Sequence, residues 1–422
     1  MTASPVRLKI KKLVGGGLGL AHDGDRTWLV AGALPGETVD AEKHDERRGV
    51  VHAGALRVAA DPHPLRAIDP CPHAAICGGC DWPHVTGGAA LKAEVAAESA
   101  RGRRELADRL RTAPVRSSPP AYRLRARLHW DPQQARLGFY EPRSWRVAGI
   151  DGCRIISPQL GAALPRLESS LERSCPAPVD VEWLENLSGS GTVAALRPTR
   201  RGPREVDPLW TPSPKDLEDA VGGFHVLSRA GRLRPVWGST TVTMELPRPL
   251  DVPIGAFFQG NRHLVPWLYG RVAEICGPDP APTWDLHAGV GFLAAAAYHA
   301  SPRQLRLVEP FRPAASAARG NLPQAREVAA STAEAYLGRQ SSLPEEALAI
   351  TDPPRAGLSA ALRRGLARWR PQRILMLSCD PATWARDADD LLGHGYHLAS
   401  LELIDLFPST HHVEVLAMLE AE

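Results

Sequence analysis

Three cysteines fall within ten residues of this chain, as Cys71, Cys77 and Cys80 in the pattern C-x5-C-x2-C, and two glycines follow the second of them. Thiolates at this spacing can reach one metal centre, and the glycines let the backbone wrap closely around it. A metal centre of this kind needs a fourth ligand, and Cys153 is the nearest later cysteine. Four cysteines can bind zinc or an iron–sulfur cluster, and the spacing leaves both open. Free buried thiols are the remaining alternative.

A glycine turn at residues 285–291, with the sequence Asp-Leu-His-Ala-Gly-Val-Gly, is a second candidate site. An apolar run precedes it and a helical pattern follows, so a ligand could approach the backbone closely between a strand and a helix. Glu309 ends the next apolar run and could accept hydrogen bonds from ribose hydroxyls. The pattern fits S-adenosylmethionine as well as a dinucleotide. A tight turn without a ligand is the alternative.

Reactive side chains also follow the later apolar runs. Cys379 ends one run and could act as a nucleophile, although a lone cysteine is often an inert core residue. A proline-stiffened loop after another run fixes Asp352 and Arg355 at the rim of the sheet. Glu414 lies in an apolar, strand-like stretch, where burial would raise its proton affinity and suit a general base. An ion-paired strand carboxylate is the alternative for Glu414.

Strands and helices predicted from residue 251 onward would position these reactive residues. Short apolar runs at 283–286, 305–308, 347–350 and 374–377 alternate with alanine-rich helical stretches. This order is typical of an α/β domain with a mostly parallel, doubly wound sheet, whose ligands bind at the carboxyl ends of the strands. We therefore expect residues 251–422 to be the catalytic domain.

The part of the chain before residue 251 divides into two further expected domains. Residues 1–65 contain short strands separated by glycine and charged turns, which predicts a small β-barrel of the kind that can bind oligonucleotides. Residues 66–250 mix helical and strand patterns and contain the four cysteines. We expect this central α+β domain to hold the metal site.

Basic residues are concentrated between residues 92 and 150, where 13 Lys and Arg stand against six Asp and Glu. Aromatic residues and histidine are interleaved with them, which suits contact with phosphates and stacked bases. Arginines at alternate positions can equally form one solvated face of a strand. The residues concerned include Arg101, Arg103, Arg104, Tyr122, Arg123, Arg125, Arg127, His129 and Trp130.

The composition is that of a globular protein of several domains. The 422 residues include 50 Lys and Arg against 47 Asp and Glu, and 44% of them are hydrophobic. No apolar run approaches the ~20 residues that span a bilayer, and the basic start leads into glycines where a signal peptide would need an apolar core. Seven cysteines, three of them clustered, favour metal or catalytic thiols in a reducing compartment. We expect a cytoplasmic protein.

Taken together, these motifs resemble the S-adenosylmethionine-dependent uridine-5 RNA methyltransferases that have an N-terminal TRAM domain and a four-cysteine iron–sulfur site. The resemblance extends over nearly the whole chain. The segments at 15–21 and 34–37 are similar to TRAM. Further motifs of the family are residues 257–261 (Phe-Phe-Gln-Gly-Asn), the turn at 285–291, and the segments at 352–357, 378–383 and 412–414.

The resemblance implies a Rossmann-like class I methyltransferase domain and assigns roles to individual residues. Cys379 would be the nucleophile and Glu414 the base. The positions that would contact the methyl donor are Gln259, His287, Phe292, Glu309 and Asp352, and the [4Fe-4S] ligands would be Cys71, Cys77, Cys80 and Cys153. The turn departs from the common family pattern at His287, Ala288 and Phe292.

The function implied by the resemblance is methylation of carbon 5 of a uridine in RNA, with 23S ribosomal RNA favoured over the T-loop of transfer RNA. A non-catalytic iron–sulfur RNA-binding protein is an alternative of another class. RNA cytosine-5 methylation fits less well because that class usually pairs two cysteines in the catalytic domain. The spacing of the cysteines disfavours a radical enzyme. We expect no membrane association and infer no obligate protein partner.

Overall fold

A computed structural model of the chain describes residues 4–68, 71–340, 344 and 346–422, and the strands of these residues form sheets of six, seven, two and eight strands. No helix in these ranges is both long and apolar enough to cross a membrane. The N-terminal sheet contains β1 (Val6–Lys9), β2 (Lys12–Val14), β3 (Leu18–Asp23), β4 (Arg26–Ala31), β5 (Thr38–Arg47) and β6 (Val50–Ala60).

The six strands of this sheet enclose a core of their own in the order β1-β5-β6-β4-β3-β2. Trp28, Val30, Val39 and Val51 alternate with more exposed neighbours and are themselves at most 3% exposed. The two edge strands, β1 and β2, are separated in the chain by only two residues. Strand β1 pairs with β5 at one edge, and β2 pairs with β3 at the other. The N-terminal unit is thus all-β, and a closed barrel of the RNA-binding kind stays a prediction.

The middle of the chain forms a seven-stranded sheet in the order β10-β9-β8-β11-β12-β13-β14 and a separate β15-β16 hairpin. A hydrophobic cluster of this sheet includes α3 and contains Trp130, Trp183 and Phe224. The elements are α1 (Ala89–Ser99), α2 (Arg104–Thr112), β7 (Val115–Arg116), β8 (Arg125–Asp131), β9 (Arg136–Tyr140), β10 (Val147–Gly149), α3 (Pro158–Ser174), β11 (Val179–Glu185), β12 (Thr192–Pro198), a short 3-10 helix (Pro208–Trp210), α4 (Pro214–Leu217), β13 (Gly223–Leu227), β14 (Leu233–Gly238), β15 (Thr241–Met244) and β16 (Leu250–Pro253).

Strand β8 sorts the basic and aromatic residues of its segment onto two faces. Leu128 and Trp130 point into the core and are at most 1% exposed, as is Tyr122 just before the strand. Arg127 and His129 point outward because successive strand residues face opposite sides. The expectation that Tyr122 and Trp130 face a nucleic acid is therefore wrong.

The C-terminal part forms an eight-stranded sheet in the order β19-β18-β17-β20-β21-β23-β22-β7. All pairs are parallel except those made by β23. This confirms the expected α/β class. The elements are α5 (Leu264–Cys276), β17 (Thr283–Asp285), α6 (Phe292–Ala300), β18 (Leu305–Val308), α7 (Arg312–Asn321), β19 (Glu327–Ala329), α8 (Ala333–Leu337), β20 (Leu348–Thr351), α9 (Ala360–Trp369), β21 (Arg373–Ser378), α10 (Pro381–Leu392), β22 (Tyr396–Ile404) and β23 (Glu414–Ala421).

Residues 89–116 pack with the C-terminal sheet, although they lie within the segment expected to be the central domain. Strand β7 pairs with β22 as the eighth strand, and Ala96 of α1 and Leu110 of α2 belong to the core cluster that contains Trp384. The chain therefore contributes to this sheet before it enters the seven-stranded one. The domain boundaries at 65 and 250 stay predictions.

Candidate active site and cysteine cavity

Four candidate site residues lie at one edge of the eight-stranded sheet. Asp285 ends β17, Asp352 follows β20, Cys379 follows β21 and Glu414 begins β23. The first three strands are parallel, so their carboxyl ends meet at the same edge, and β23 runs antiparallel, so its first residue lies there too. The fold thus brings the predicted nucleophile, base and acidic loop together.

Gln259 reaches the same edge from the loop that precedes α5. Its Nε2 atom donates to Oδ2 of Asp352 at 3.2 Å, and its side chain is 5% exposed. Asn261 fixes the loop, because its Oδ1 accepts from the backbone N–H of Leu264 at 3.0 Å and its Nδ2 donates to the carbonyl of Leu406 at 2.8 Å. The structure therefore joins Gln259 and Asp352, two of the predicted donor-binding residues.

Buried carboxyl groups dominate the electrostatics of this edge. Burial raises the pKa of Asp285 and of Asp352 to about 7, and the charge of Asp285 adds to the shift of Asp352. Burial raises the pKa of Glu414 to about 8, with a further increase from Asp352 and an opposing effect of Arg355. Oδ2 of Asp285 has no hydrogen-bond partner among the described residues. Crowded buried carboxyl groups are suited to bind a cationic ligand, and one of them is suited to act as a proton acceptor.

The Cys379 thiol is half-buried beside these acids. Burial raises its pKa to about 11, the charges of Glu414 and Asp352 contribute to the rise, and Arg355 opposes it. Helix α10 begins two residues later, capped by Asp380, whose Oδ1 accepts from the backbone N–H of Thr383 at 2.9 Å. In the free protein the thiol is protonated at neutral pH. A cation bound among the carboxylates would favour the thiolate.

The glycine turn after β17 has the backbone geometry expected of a ligand-binding turn. Gly289 has φ +54°, and a side chain added there would meet only open space. Its N–H donates to Oε2 of Glu309 at 3.0 Å, while Oε1 of Glu309 accepts from the N–H of Phe311 at 2.7 Å. The carboxylate at the end of β18 therefore lies against the turn, as the strand-turn-helix pattern predicts.

His287 and Phe292, two of the three positions that depart from the family pattern, have different environments. Burial lowers the pKa of His287 to about 4, and its Nδ1 atom has no hydrogen-bond partner among the residues described. Glu334 of α8 lies close enough for its charge to oppose that shift. Phe292 is 6% exposed and packs against Phe258 at 5.4 Å between ring centroids. Phe292 is therefore a core residue. Contacts of His287 and Phe292 with the methyl donor stay predictions.

Lys92 of α1 holds the loop that leads to Glu414 and was not identified from the sequence. Its side chain is 2% exposed and forms an ion pair with Asp405. Its ammonium also donates to the carbonyls of Phe407 at 3.1 Å and His412 at 2.9 Å. A buried cation with three acceptors fixes residues 405–412.

The cysteine segment contacts the same loop. Asp81, the neighbour of Cys80, accepts a hydrogen bond from the backbone N–H of His411 at 2.9 Å and a second from the ring of that histidine. The backbone N–H of Trp82 donates to the carbonyl of Ser409 at 2.9 Å. The segment after the third cysteine is thereby joined to the strand that begins with Glu414. The sequence did not predict this contact, because a single Asp after a cysteine has no pattern that points to a partner far away in the chain.

The four predicted cluster ligands line one small cavity. Cys71, Cys77, Cys80 and Cys153 surround it together with Phe139 of β9. The two glycines allow this fold, because a side chain at residue 78 or 79 would collide with the backbone or ring of residues 139–142. The described residues include no group of three or more His, Cys, Asp or Glu arranged around a single metal ion. The structure thus shows the convergence of the four thiols, and a cluster stays a prediction.

Comparison with known proteins gives several matches. A family model described as tRNA (Uracil-5-)-methyltransferase matches residues 345–422. The 23S rRNA (uracil(1939)-C(5))-methyltransferase RlmD of Pseudomonas entomophila is 31% identical over 98% of this chain and 93% of its own length. The protein of the same name from Alkalilimnicola ehrlichii is 31% identical over 99% of this chain and 97% of its own length.

A solved structure shares the fold over the whole chain. The tRNA (uracil-54, C5)-methyltransferase of Pyrococcus abyssi, in complex with S-adenosyl-L-homocysteine, is similar with a TM-score of 0.75. The match covers 98% of this chain and 100% of the other at 21% identity. At this identity the similarity concerns the fold.

Proposed function

Since the chain belongs to the family of S-adenosylmethionine-dependent RNA uracil-C5 methyltransferases, we propose that it methylates a uridine of 23S ribosomal RNA through Cys379 and Glu414. The observation that supports these roles is the meeting of Cys379, Glu414 and Asp352 at one edge of the sheet. Asp352 and Glu414 both raise the pKa of Cys379, and Asp352 also raises the pKa of Glu414, so the three groups lie close together. We call this region the catalytic pocket.

The proposed reaction follows from the chemistry of uracil. Carbon 5 is a poor nucleophile, so the Cys379 thiolate first adds to carbon 6, and the displaced electron pair makes carbon 5 nucleophilic. Bound S-adenosylmethionine supplies the electrophilic methyl group. Glu414 then removes the proton from carbon 5, and the electron pair of that bond expels the thiolate from carbon 6. The uridine must be unpaired or flipped out, because its ring face is covered inside a stacked helix.

Three features of the pocket support binding of the methyl donor. The buried carboxyls of Asp285 and Asp352 have little opposing positive charge, which suits the positive sulfonium. Oδ2 of Asp285 is a buried acceptor with no hydrogen-bond partner among the described residues. Glu309 lies beside the open space at Gly289, where a ribose could bind. Gln259 orients Asp352 in this proposal.

We assign the ribosomal substrate from the relatives. Relatives named for uracil 1939 of 23S rRNA match the chain over nearly its whole length at about 30% identity. The N-terminal six-stranded sheet is proposed to be a TRAM-like barrel that contacts this RNA. The likeness to the transfer RNA enzyme is confined to the fold and adds no preference for transfer RNA.

We further propose a [4Fe-4S] cluster in the cysteine cavity. Four thiols surround the cavity, and cysteine thiolates are the usual ligands of such clusters. Spectroscopy and iron analysis of anaerobically purified protein test this proposal. Wild-type protein is expected to contain about four irons per chain and visible absorption that Cys153→Ser reduces, while Cys276→Ser, a buried cysteine outside the cavity, leaves both unchanged. Zinc in place of iron would contradict the proposal.

Nucleoside mass spectrometry tests the reaction and the substrate together. Cells without this gene are expected to lose 5-methyluridine at one site of 23S ribosomal RNA and to regain it with the wild-type gene but not with Cys379→Ala. Loss from transfer RNA instead would replace the proposed substrate. Unchanged 5-methyluridine in both RNAs, together with no methyl transfer by the purified protein, would contradict the proposed function.

A further inference from the structure

An aromatic strip lies on the outer face of the seven-stranded sheet, away from the catalytic pocket. We define the aromatic strip as His129, Tyr140 and Trp145 with Arg201. The rings of His129 and Tyr140 stack with centroids 3.6 Å apart, and Tyr140 meets Trp145 edge to face at 5.3 Å. The guanidinium of Arg201 lies 5.0 Å from the centre of the Trp145 ring. Three aromatic or imidazole rings and a cation thus form one continuous surface.

The outer layer of this surface is cationic. Asp180 pairs with His129, and Glu182 pairs with Arg127 and Arg197. Both carboxylates are buried, at 8% and 6% exposure, whereas the Arg127 side chain is 52% exposed. The acids therefore lie beneath, and a ligand approaching from solvent meets guanidinium groups and aromatic rings.

Trp145 is exposed at the tip of a well-formed turn. It is 43% exposed, which is unusual for so large an apolar ring. The turn between β9 and β10 is closed by hydrogen bonds from the N–H of Glu141 to the carbonyl of Arg146 at 2.9 Å and from the N–H of Ser144 to the carbonyl of Glu141 at 3.2 Å. A hydrogen-bonded turn that holds an aromatic ring in solvent is suited to stacking.

The aromatic strip is backed by the cysteine cavity, and β8 connects it to the loop that contains Gln259. Phe139 lines the cavity, while its neighbour Tyr140 belongs to the strip, and the carbonyl of Tyr140 accepts from the N–H of Gly78 at 2.9 Å. At the other end of β8, Arg125 lies 5.6 Å from the ring of Phe257, two residues before Gln259. Residues 125 and 129 are about 13 Å apart along the strand, at ~3.3 Å per residue.

We propose that the aromatic strip binds unpaired nucleotides of the RNA substrate that flank the target uridine, by stacking bases on Trp145 and Tyr140 and pairing a phosphate with Arg201. Aromatic rings interleaved with cations are the surface that single-stranded nucleic acid favours. The distance along β8 matches a few nucleotides of an extended strand. This inference rests on the proposed function for the identity of the RNA and of the target uridine.

Binding of a fluorescent, single-stranded 12-nucleotide RNA to the full chain, measured by anisotropy without methyl donor, tests the proposal. Trp145→Ala is expected to weaken binding about 5- to 140-fold, the loss of one stacked base, without changing its salt dependence. Trp145→Phe is expected to restore most of the affinity. Arg201→Ala is expected to reduce the slope of log affinity against log salt by about 0.7, the contribution of one phosphate contact.

Two substitutions serve as matched controls. Leu209→Ala removes another exposed apolar side chain, and Arg248→Ala removes another cation over an aromatic ring, Tyr298 at 5.2 Å. An effect of Trp145→Ala no larger than that of Leu209→Ala would overturn the proposal, as would an equal effect on a duplex of the same length. If the wild-type protein methylates ribosomal RNA but Trp145→Ala does not weaken RNA binding, only the proposal for the aromatic strip is contradicted. If Trp145→Ala weakens RNA binding but the wild-type protein does not methylate ribosomal RNA, only the proposed function is contradicted.

Discussion

The cysteine cavity and the catalytic pocket both bury thiols, but they surround them with different neighbours. In the cavity, four cysteines converge from one short segment and from Cys153. In the pocket, one cysteine lies among carboxyl groups that come from separate strand ends. Burial raises the pKa of Cys80 in the cavity to about 12 and that of Cys379 in the pocket to about 11.

The comparison teaches that similar burial of a thiol can serve opposite purposes. Thiols that crowd one another are stabilised when a metal centre replaces their protons, and they then stay fixed. In the proposed reaction the Cys379 thiol must lose its proton, form a bond and leave again in every turnover, so its partners must be able to change charge. Glu414 and Asp352 have pKa values raised into the neutral range, which permits this.

Removing the nucleophile is the change with the largest expected effect. Cys379→Ala should abolish methyl transfer, because the proposed reaction needs the Cys379 thiolate to add to carbon 6, while the fold and binding of S-adenosylmethionine persist. Cys276→Ala removes a buried cysteine outside both sites and should keep activity. Methyl transfer from radiolabelled donor measures both. Residual activity of Cys379→Ala near the wild-type value would contradict the role of Cys379 as the nucleophile.

Glu414→Gln should lower turnover by about 100- to 10,000-fold, the usual contribution of a general base. The covalent RNA adduct on Cys379 should accumulate, because the thiolate leaves only after the carbon 5 proton is removed. Denaturing gel electrophoresis with labelled RNA detects the adduct. If Glu414 is not the base, turnover falls without any adduct.

Glu414→Gln is also expected to change how the stability of the fold depends on pH. Burial raises the pKa of Glu414 to about 8 in the folded chain, against about 4.3 for a free side chain. The folded state therefore holds a proton that the unfolded state has lost, and this group lowers the free energy of unfolding as pH rises through that window. Glu414→Gln should gain stability over the wild type at pH 8 and not at pH 4, as thermal unfolding at both values will show.

Breaking the buried ion pair beneath the loop should have a smaller effect. Lys92→Met leaves Asp405 buried without its cation and should destabilise the fold by about 3–5 kcal/mol. Replacing both partners, as Lys92→Met with Asp405→Leu, should recover part of this stability but not the turnover, since the loop before Glu414 loses its anchor. Denaturant unfolding and methyl transfer separate the two effects. Full turnover in the double variant would show that the anchor is dispensable.

The smallest expected effect concerns the helix that follows the nucleophile. Asp380→Ala removes the N-cap of α10 and should cost about 1 kcal/mol of stability. Asp380→Asn retains an acceptor for the N–H of Thr383 and should cost less. Thermal unfolding of the two variants checks the difference. An equal loss in both would assign the stability to the charge of Asp380 instead of its hydrogen bond.

Much of the site could be predicted because its residues follow local patterns. The spacing of Cys71, Cys77 and Cys80 brings three thiols together within one segment, and the structure places them around a common cavity. Asp352 and Cys379 end apolar runs of a βαβ order, so the rule that parallel strands share one carboxyl edge is enough to bring them together. The family resemblance added the roles, which spacing alone left open.

The sequence by itself thus determined the α/β order of the C-terminal part, the cysteine spacing and the strand-end position of the reactive residues, since each depends on a period of a few residues. Only the tertiary structure decided that Lys92 pairs with Asp405, 313 residues away. The same holds for β7, which joins a sheet formed mainly by the last third of the chain, and for Phe292, which packs in the core. These contacts depend on how whole elements pack, and packing partners far apart in the chain leave no periodic trace in the sequence.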